Sequence, residues 1–413
     1  MRPGMETVRF LRENARWLAA GALIAFVSSF GQTFFISVFA GEIRAAFDLT
    51  EGEWGRSYAI ATTLSAAIVV FAGGLADRMP ARRLGTIVFA GLAGACALMA
   101  LASHPLLLVP AVLSLRFFGQ GMASHLAGVT MARWFTRTRG RALAVAGLGF
   151  ALGESLLPIA FVAALPAFGH RTLWLACAAL VLLTILPLRR LLARERDLST
   201  VAAAAEEAPG EGGRHWTRLE VLRAPTFWLL VPLLLGPPAF GTALFFLQVH
   251  LAAVKGWSHL GLVSLFPFYT AVSIAASVTA GLLVDRFGTR ALLPAALVPM
   301  AAAFLLLSAA QSLAGAALAL MIAALTTGAN HTVVAAFWAE RYGTRHLGAI
   351  KAMGTAITVL GSAIGPWLTG AWIDGGTPFP AQMPWIAAYL LGAAALAALA
   401  LGRPRGLAAP PAR

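Results

Sequence analysis

The sequence is short of charge. Asp, Glu, Lys and Arg together make up 12% of its 413 residues, about half the share found in ordinary soluble domains. Cysteine occurs only as Cys96 and Cys177, each inside an apolar run, which excludes a disulfide framework. Lysine is equally scarce, at Lys255 and Lys351, so the basic residues are nearly all arginine. Three catalytic signatures are also missing: a glycine-rich phosphate cradle ending in Lys, an H-E-x-x-H helix and a G-x-S-x-G elbow. No polar stretch is long enough to fold into a nucleotide-binding domain, and no His, Cys or carboxylates fall at metal-ligand spacing. The chain is therefore not expected to be an enzyme or to need a cofactor, and any work it does must draw on a solute or ion gradient.

Hydrophobic residues fill 59% of the chain. They fall into runs of roughly 20 to 27 residues, long enough at about 1.5 Å per residue to cross a hydrocarbon core about 30 Å thick. Twelve such runs cover 16–40, 54–76, 84–103, 106–132, 140–166, 171–192, 226–252, 258–284, 291–310, 313–338, 347–372 and 384–402. The first extends well past the apolar core of a cleaved signal and reads as a span. The expectation is an all-α membrane protein, with twelve transmembrane helices in two pseudo-symmetric six-helix bundles.

A net charge of +14 raises the question of nucleic acid. The arginines answer it by where they lie. They cluster in the N-terminal tail, in the loops after even-numbered spans and in the C-terminal tail, whereas the alternate loops hold only Arg44, Arg56, Arg171 and Lys255. That bias is the positive-inside rule and places both termini in the cytoplasm. With no basic, aromatic-interleaved soluble module, nucleic acid is excluded as a partner. The lipid bilayer and a small-molecule solute remain, and nothing points to an obligate protein partner.

The longest polar stretch, "ARERDLSTVAAAAEEAPGEGGRHWTRLEVLRA", divides six runs from six, giving an N-terminal bundle over 1–192, a cytoplasmic loop over 193–224 and a C-terminal bundle over 225–413. Its end, "TRLEVLRAPTFW", reads as a short surface helix leading into span seven. The two bundles repeat one another. "AGGLADRMPARR" at 72–83 and "AGLLVDRFGTR" at 280–290 align without a gap, and the same register pairs Arg133 with Arg341, Gly140 with Gly348, Gly153 with Gly361 and Pro158 with Pro366. Parallel repeats of this kind are a transporter architecture, in which rocking one half against the other exposes a central site to each side in turn.

The repeated loop resembles the one between spans two and three of the major facilitator superfamily, and "RFFGQG" from Arg116 is similar to that family's arginine-to-glycine pattern on span four. The resemblance covers the whole chain. "EGEWG" at 51–55 and "WFTRTRGRALA" at 134–144 are similar to patterns of the monocarboxylate and oxalate/formate branch, although 258–284 has no Lys or Arg where that branch places an arginine on span eight. The resemblance implies secondary active transport by alternating access of a small anionic, monocarboxylate-like solute, with protons as a candidate coupling ion in symport; two lysines against 29 arginines, with abundant alanine, point to a bacterium and so to its cytoplasmic membrane. The resemblance also implies gating by Asp77, Arg78, Asp285 and Arg286, whose alternative is a topology anchor.

Charges within spans are expensive and mark function. Arg116 on span four and Glu154 on span five fall at similar depth, so Arg116 is a candidate to hold an anionic solute and Glu154 to carry the proton; a permanent structural ion pair is the competing reading. Span one carries the polar stretch "SSFGQT", with Gln32 near mid-membrane, and span seven carries "LLGPPAFG", where Pro237 and Pro238 are expected to kink the helix. Gln120, His125, Tyr269, Asn330 and His331 complete the candidates for solute binding. A drug/proton antiporter exporting amphipathic compounds is the alternative, since "GLGFALGESLLP" is similar to the glycine-proline run on span five of such proteins. A transporter-like sensor that binds solute without moving it is the minor one.

Overall fold

A computed structural model describes residues 3–135, 138–193, 209–211 and 213–402. Among these residues every regular element is a helix. Among the described residues nine helices are long and apolar enough to cross a membrane, and the bent pair Val8–Gly31 and Thr33–Phe47, inclined at 48°, makes a tenth span. One of the nine, Arg139–Leu191, runs for 53 residues, which at about 1.5 Å each is far more than one bilayer. Gly169 interrupts it with φ 70° and ψ 158°, a conformation open to a residue without Cβ, so spans five and six meet there.

The long helix Phe266–Ala295 is interrupted in the same way at Gly288, with φ 70° and ψ 167°. Its remainder leads into the shorter apolar helix Val298–Ala309, and together they form span nine. Dividing the chain at the two glycines gives the expected twelve spans. In the repeat, Gly288 aligns with Pro80. The first copy makes the same turn with extended backbone at Met79 (φ −113°, ψ 145°) and Pro80 (φ −54°, ψ 136°), so two different turn residues serve one position.

The chain folds as two compact units, residues 1–204 and 205–413. The division falls inside the polar segment, so residues 209–224 belong to the second unit. There Arg218–Arg223 forms the expected surface helix, opened by a capping box in which the Thr217 hydroxyl accepts from the Glu220 amide and the Glu220 carboxylate accepts from the Thr217 amide.

Each unit packs its first and fifth spans through a glycine at one repeat position. A Cβ on Gly153 would lie 2.0 Å from Ser29 Oγ of span one, and one on Gly361 would lie 2.8 Å from the Leu235 carbonyl oxygen of span seven. Missing side chains let the backbones approach where apolar burial cannot drive helices together in lipid. The same packing covers the proline stretch of span seven. Span seven, Pro225–Phe246, stays one helix through Pro232, Pro237 and Pro238 and ends only at Leu247. Span eleven lies against the proline stretch, with the Gly361 position 3.1 Å from Pro238 Cγ, and supports the helix where backbone donors are lost.

Candidate functional site

In the first unit, the polar stretch of span one breaks the helix. Pro3–Ser28 gives way to a 3-10 turn at Ser29–Gly31, and Gln32 is extended (φ −87°, ψ 154°) before helix resumes at Thr33. The break is wedged against span four. A Cβ on Gly31 would lie 2.1 Å from the Leu115 carbonyl oxygen, and one on Gly119 would lie 2.6 Å from Gly31 Cα. Span four answers with an irregularity of its own, a π-helical stretch over Arg116–Ala123. Such wide turns cluster at functional sites because they re-aim side chains and leave backbone groups off register.

The two irregular segments meet at Arg116, which is 2% exposed. Its Nη1 donates to the Gly31 carbonyl at 3.4 Å and to Thr33 Oγ1 at 3.2 Å, and its Cζ lies 5.2 Å from the centre of the Tyr58 ring. Thr33 and Tyr58 share a hydrogen bond between their hydroxyls. Each of these partners is uncharged. Arg116 Nε, Gln120 Oε1 and Ser29 Oγ are buried without a hydrogen-bond partner. Gln32 Nε2 reaches Ser124 Oγ at 3.3 Å. Glu154, half-buried, follows the Gly153 that touches Ser29. Gln32, Arg116 and Gln120 thus gather around one break. His125 does not join them: it is exposed, and its Nε2 donates to the Gly73 carbonyl at the end of span two, 3.2 Å away.

The second unit replaces charge with neutral pairs in the corresponding region. Tyr269, 3% exposed, shares a 2.7 Å hydrogen bond with Thr327, and Ser277 shares one of 2.9 Å with Thr332. Asn330, half-buried, and His331, exposed, follow on the same helix. Phe245 packs its ring edge-on against Phe266 and Tyr269.

The repeated loop is held differently in the two units. In the first, Arg133 Nη1 donates to the Ala76 carbonyl at 2.9 Å, Arg78 is exposed, and the side chain of Asp77 lies outside the described residues. In the second, Asp285 and Arg286 are exposed, with the Arg286 guanidinium 5.2 Å over the Phe287 ring. Glu211, from the polar segment, pairs with Arg290 and, at 3.0 Å, with Arg341. Its amide donates to the Arg341 carbonyl at 2.9 Å, and the Trp216 amide donates to the Tyr342 carbonyl at 3.0 Å. Glu340 accepts from the Thr289 hydroxyl at 2.7 Å and from its amide at 3.2 Å. Sequence reasoning passed over Glu211 because "APGEGG" has the composition of a linker; no periodicity marks one carboxylate in such a stretch.

"EGEWG" has a structural occupation for its side chains. Glu53 and Thr50 form the capping box of span two, Glu51 pairs with Arg44, and Trp54 is fully buried. Thr33 and Tyr58, which hold Arg116, also escaped the sequence reading, although Thr33 ends the polar stretch that was singled out.

The model of the Major Facilitator Superfamily matches residues 21–279, more than half of the chain. The chain belongs to that superfamily, whose members are transporters. No curated protein matches it. Among solved structures, it is similar to a bacterial homolog of the human lysosomal transporter Spinster in an inward-facing, unoccupied conformation, with TM-score 0.72, 18% identity, and coverage of 94% of this chain and 97% of that one. The occupied form of that homolog gives TM-score 0.71 at 19% identity, covering 93% and 96%. The nucleoside transporter NupG, as a D323A mutant, gives TM-score 0.70 at 12% identity, covering 94% and 99%. At these identities the likeness is one of fold.

Proposed function

We propose that this transporter moves a small anionic organic solute, monocarboxylate-like, across a bacterial cytoplasmic membrane by alternating access, with both termini in the cytoplasm. The observation that carries the reading is Arg116: a guanidinium buried in a span, held by a carbonyl, a hydroxyl and a ring, with Nε unused. A buried charge with neutral partners is poorly compensated. A carboxylate presents two oxygens to the guanidinium fork and forms the strong, bidentate kind of hydrogen bond. Gln32 and Gln120 supply amide donors for the rest of a small solute. In the second unit, Tyr269, Asn330 and His331 are the side chains proposed to contact the solute.

Proton coupling falls to Glu154, a carboxyl on the span packed against the helix break. Negative charge arriving at Arg116 raises the proton affinity of any carboxylate nearby, and its departure lowers it. The resulting symport draws a carboxylate and a proton together. Asp77, Arg78, Asp285 and Arg286 act as gates at the loops that must separate when the arginine-rich side opens.

The test is uptake into proteoliposomes, with thermal unfolding of the purified protein against monocarboxylates, dicarboxylates, neutral solutes and lipophilic cations. Carboxylates at about 100 times their dissociation constant should stabilise by about 2.7 kcal/mol. Arg116→Ala should abolish that shift, and Glu154→Gln should keep it while uncoupling uptake from a proton gradient. Stabilisation by lipophilic cations alone, with unchanged behaviour of Arg116→Ala, would transfer the reading to the drug/proton antiporter class.

A further inference from the structure

Cys96 and Cys177 lie far apart in the chain and are both fully buried; the pairing of spans three and six brings them together. Span three is Ala81–Leu101, and span six is the part of Arg139–Leu191 beyond Gly169. Contacts at both ends fix the two spans as an antiparallel pair. At one end a Cβ on Gly85 would lie 2.9 Å from Leu188 Cδ2, and at the other Arg171 Nη2 donates to the Ala102 carbonyl at 3.2 Å. Cys96 stands eleven residues after Gly85 and six before Ala102; Cys177 stands eleven before Leu188 and six after Arg171. Equal steps along antiparallel helices bring the two cysteines to one level. Eleven residues are about three turns at 3.6 per turn, so each cysteine also lies on the face that makes the Gly85–Leu188 contact. Alanines flank both, Ala95 and Ala97 on one span and Ala176 and Ala178 on the other, and small neighbours let the backbones approach. The two thiols are near enough for charge on one to act on the other.

We propose that Cys96 and Cys177 together form a two-coordinate site for a soft divalent cation, mercury(II). Thiolate sulfur selects soft metals. Among the described residues no group of three or more His, Cys, Asp and Glu could hold a metal ion, so zinc, which takes four ligands, is not served. Mercury(II) is satisfied by two thiolates in a line. Charge decides between the soft ions. Neither span carries a charged residue over 86–101 or 172–188, and net charge at membrane depth is costly. Two thiolates leave silver(I) or copper(I) with a net negative charge and mercury(II) with none. Mercuric chloride is itself uncharged and enters through the bilayer. On binding, two S–H bonds break and two Hg–S bonds form, and two chlorides leave with the two protons; nothing is oxidised or reduced. The metal ties span three to span six about 9 Å from the Ala102–Arg171 end, six residues at about 1.5 Å each.

The experiment uses the full-length protein in dodecylmaltoside, reduced with a phosphine and freed of it, exposed to mercuric chloride, then washed with excess β-mercaptoethanol and desalted. Native mass spectrometry should find one mercury per chain, and both thiols should be protected from N-ethylmaleimide. Thermal unfolding should shift upward, because a cross-link removes freedom from the unfolded chain. Two mercury ions per chain would mean that each thiol reacts alone, and none that the pair is closed to the metal; either result overturns the proposal and needs no variant to fold. Cys96→Ala and Cys177→Ala should each lose the metal to the monothiol wash, and undiminished retention in either variant also overturns it. Silver(I) should be stripped by the same wash; its retention would overturn the charge argument that selects the divalent ion.

Discussion

The first unit concentrates its irregularity and its charge at one point, whereas the second spreads neutral pairs along regular helices. Span one breaks at Gln32 and span four widens into a π-helical stretch, and the two defects meet at a buried arginine. At the aligned positions, span seven runs on through three prolines and span ten carries Ala324 where span four carries Arg116. Irregular backbone is tolerated at membrane depth where protein covers it, and here the coverage comes from glycine at the crossing of spans one and four. The difference teaches that duplication preserved the packing positions, such as Gly153 and Gly361, and freed the interior positions to diverge.

The sharpest way to break the comparison is at the glycines. Gly31 is the second residue of "FGQTFF" at 30–35 in span one, and Gly241 is the second of the similar "FGTALFF" at 240–246 in span seven, two residues out of the main repeat register. A Cβ on Gly31 would lie 2.1 Å from a backbone oxygen, which cannot yield without moving span four; a Cβ on Gly241 would meet Met300 Cε at 3.5 Å, an ordinary contact. Gly31→Ala should destabilise by about 3 kcal/mol through overpacking. Gly241→Ala should be neutral or stabilising by up to about 1 kcal/mol, because alanine suits a helix better. Thermal unfolding of the two variants reads the difference, and equal effects would mean that the break is not specially packed.

In the second unit, Tyr269→Phe removes one hydroxyl from the neutral pair with Thr327 and should cost about 1 kcal/mol, with uptake reduced less than in Arg116→Ala. A larger effect on uptake than that of Arg116→Ala would move the centre of the site into the second unit. Glu211→Ala releases Arg290 and Arg341 from a partly exposed network. Pairs of this kind are worth less than about 1 kcal/mol each, so the expected signal is local: faster amide exchange at Trp216, whose amide bonds to Tyr342, with little change in the unfolding temperature. Exchange as slow as in the parent protein would show that backbone bonds alone hold the segment.

Much of this was legible in the sequence, and the reasons are physical. Spans are read from runs of apolar residues because the bilayer sets one length scale, and the repeat is read because loop arginines and packing glycines keep register. Arg116 stood out because a charge in a span is rare. What could not be read are arrangements fixed by tertiary contact: the π-helical stretch, the hold of Thr33 and Tyr58 on Arg116, and the Glu211 contacts made by a segment of linker composition.

The smallest effect concerns two capping boxes of one design, Thr50 with Glu53 in the first unit and Thr217 with Glu220 in the second. The Thr217 amide and hydroxyl both donate to the Glu220 carboxylate, at 2.7 Å and 2.8 Å. The amide first, then the hydroxyl, holds its pKa below the ordinary carboxylate value. A carboxylate with a depressed folded-state pKa contributes stability that is fully present above its unfolded value, roughly 4.3, and is lost as pH falls through the lower, folded one. Glu220→Gln should therefore remove a small acid-side slope from the unfolding temperature below about pH 5 and leave the neutral-pH shape unchanged. The surface helix Arg218–Arg223 should fray in that variant, visible as faster exchange of the Glu220-equivalent amide, which loses nothing directly but whose capping partner Thr217 is no longer held by a charged acceptor. An unchanged acid slope would mean that the cap is already open in solution, and that the polar segment is fastened to the second unit by Glu211 and Trp216 alone.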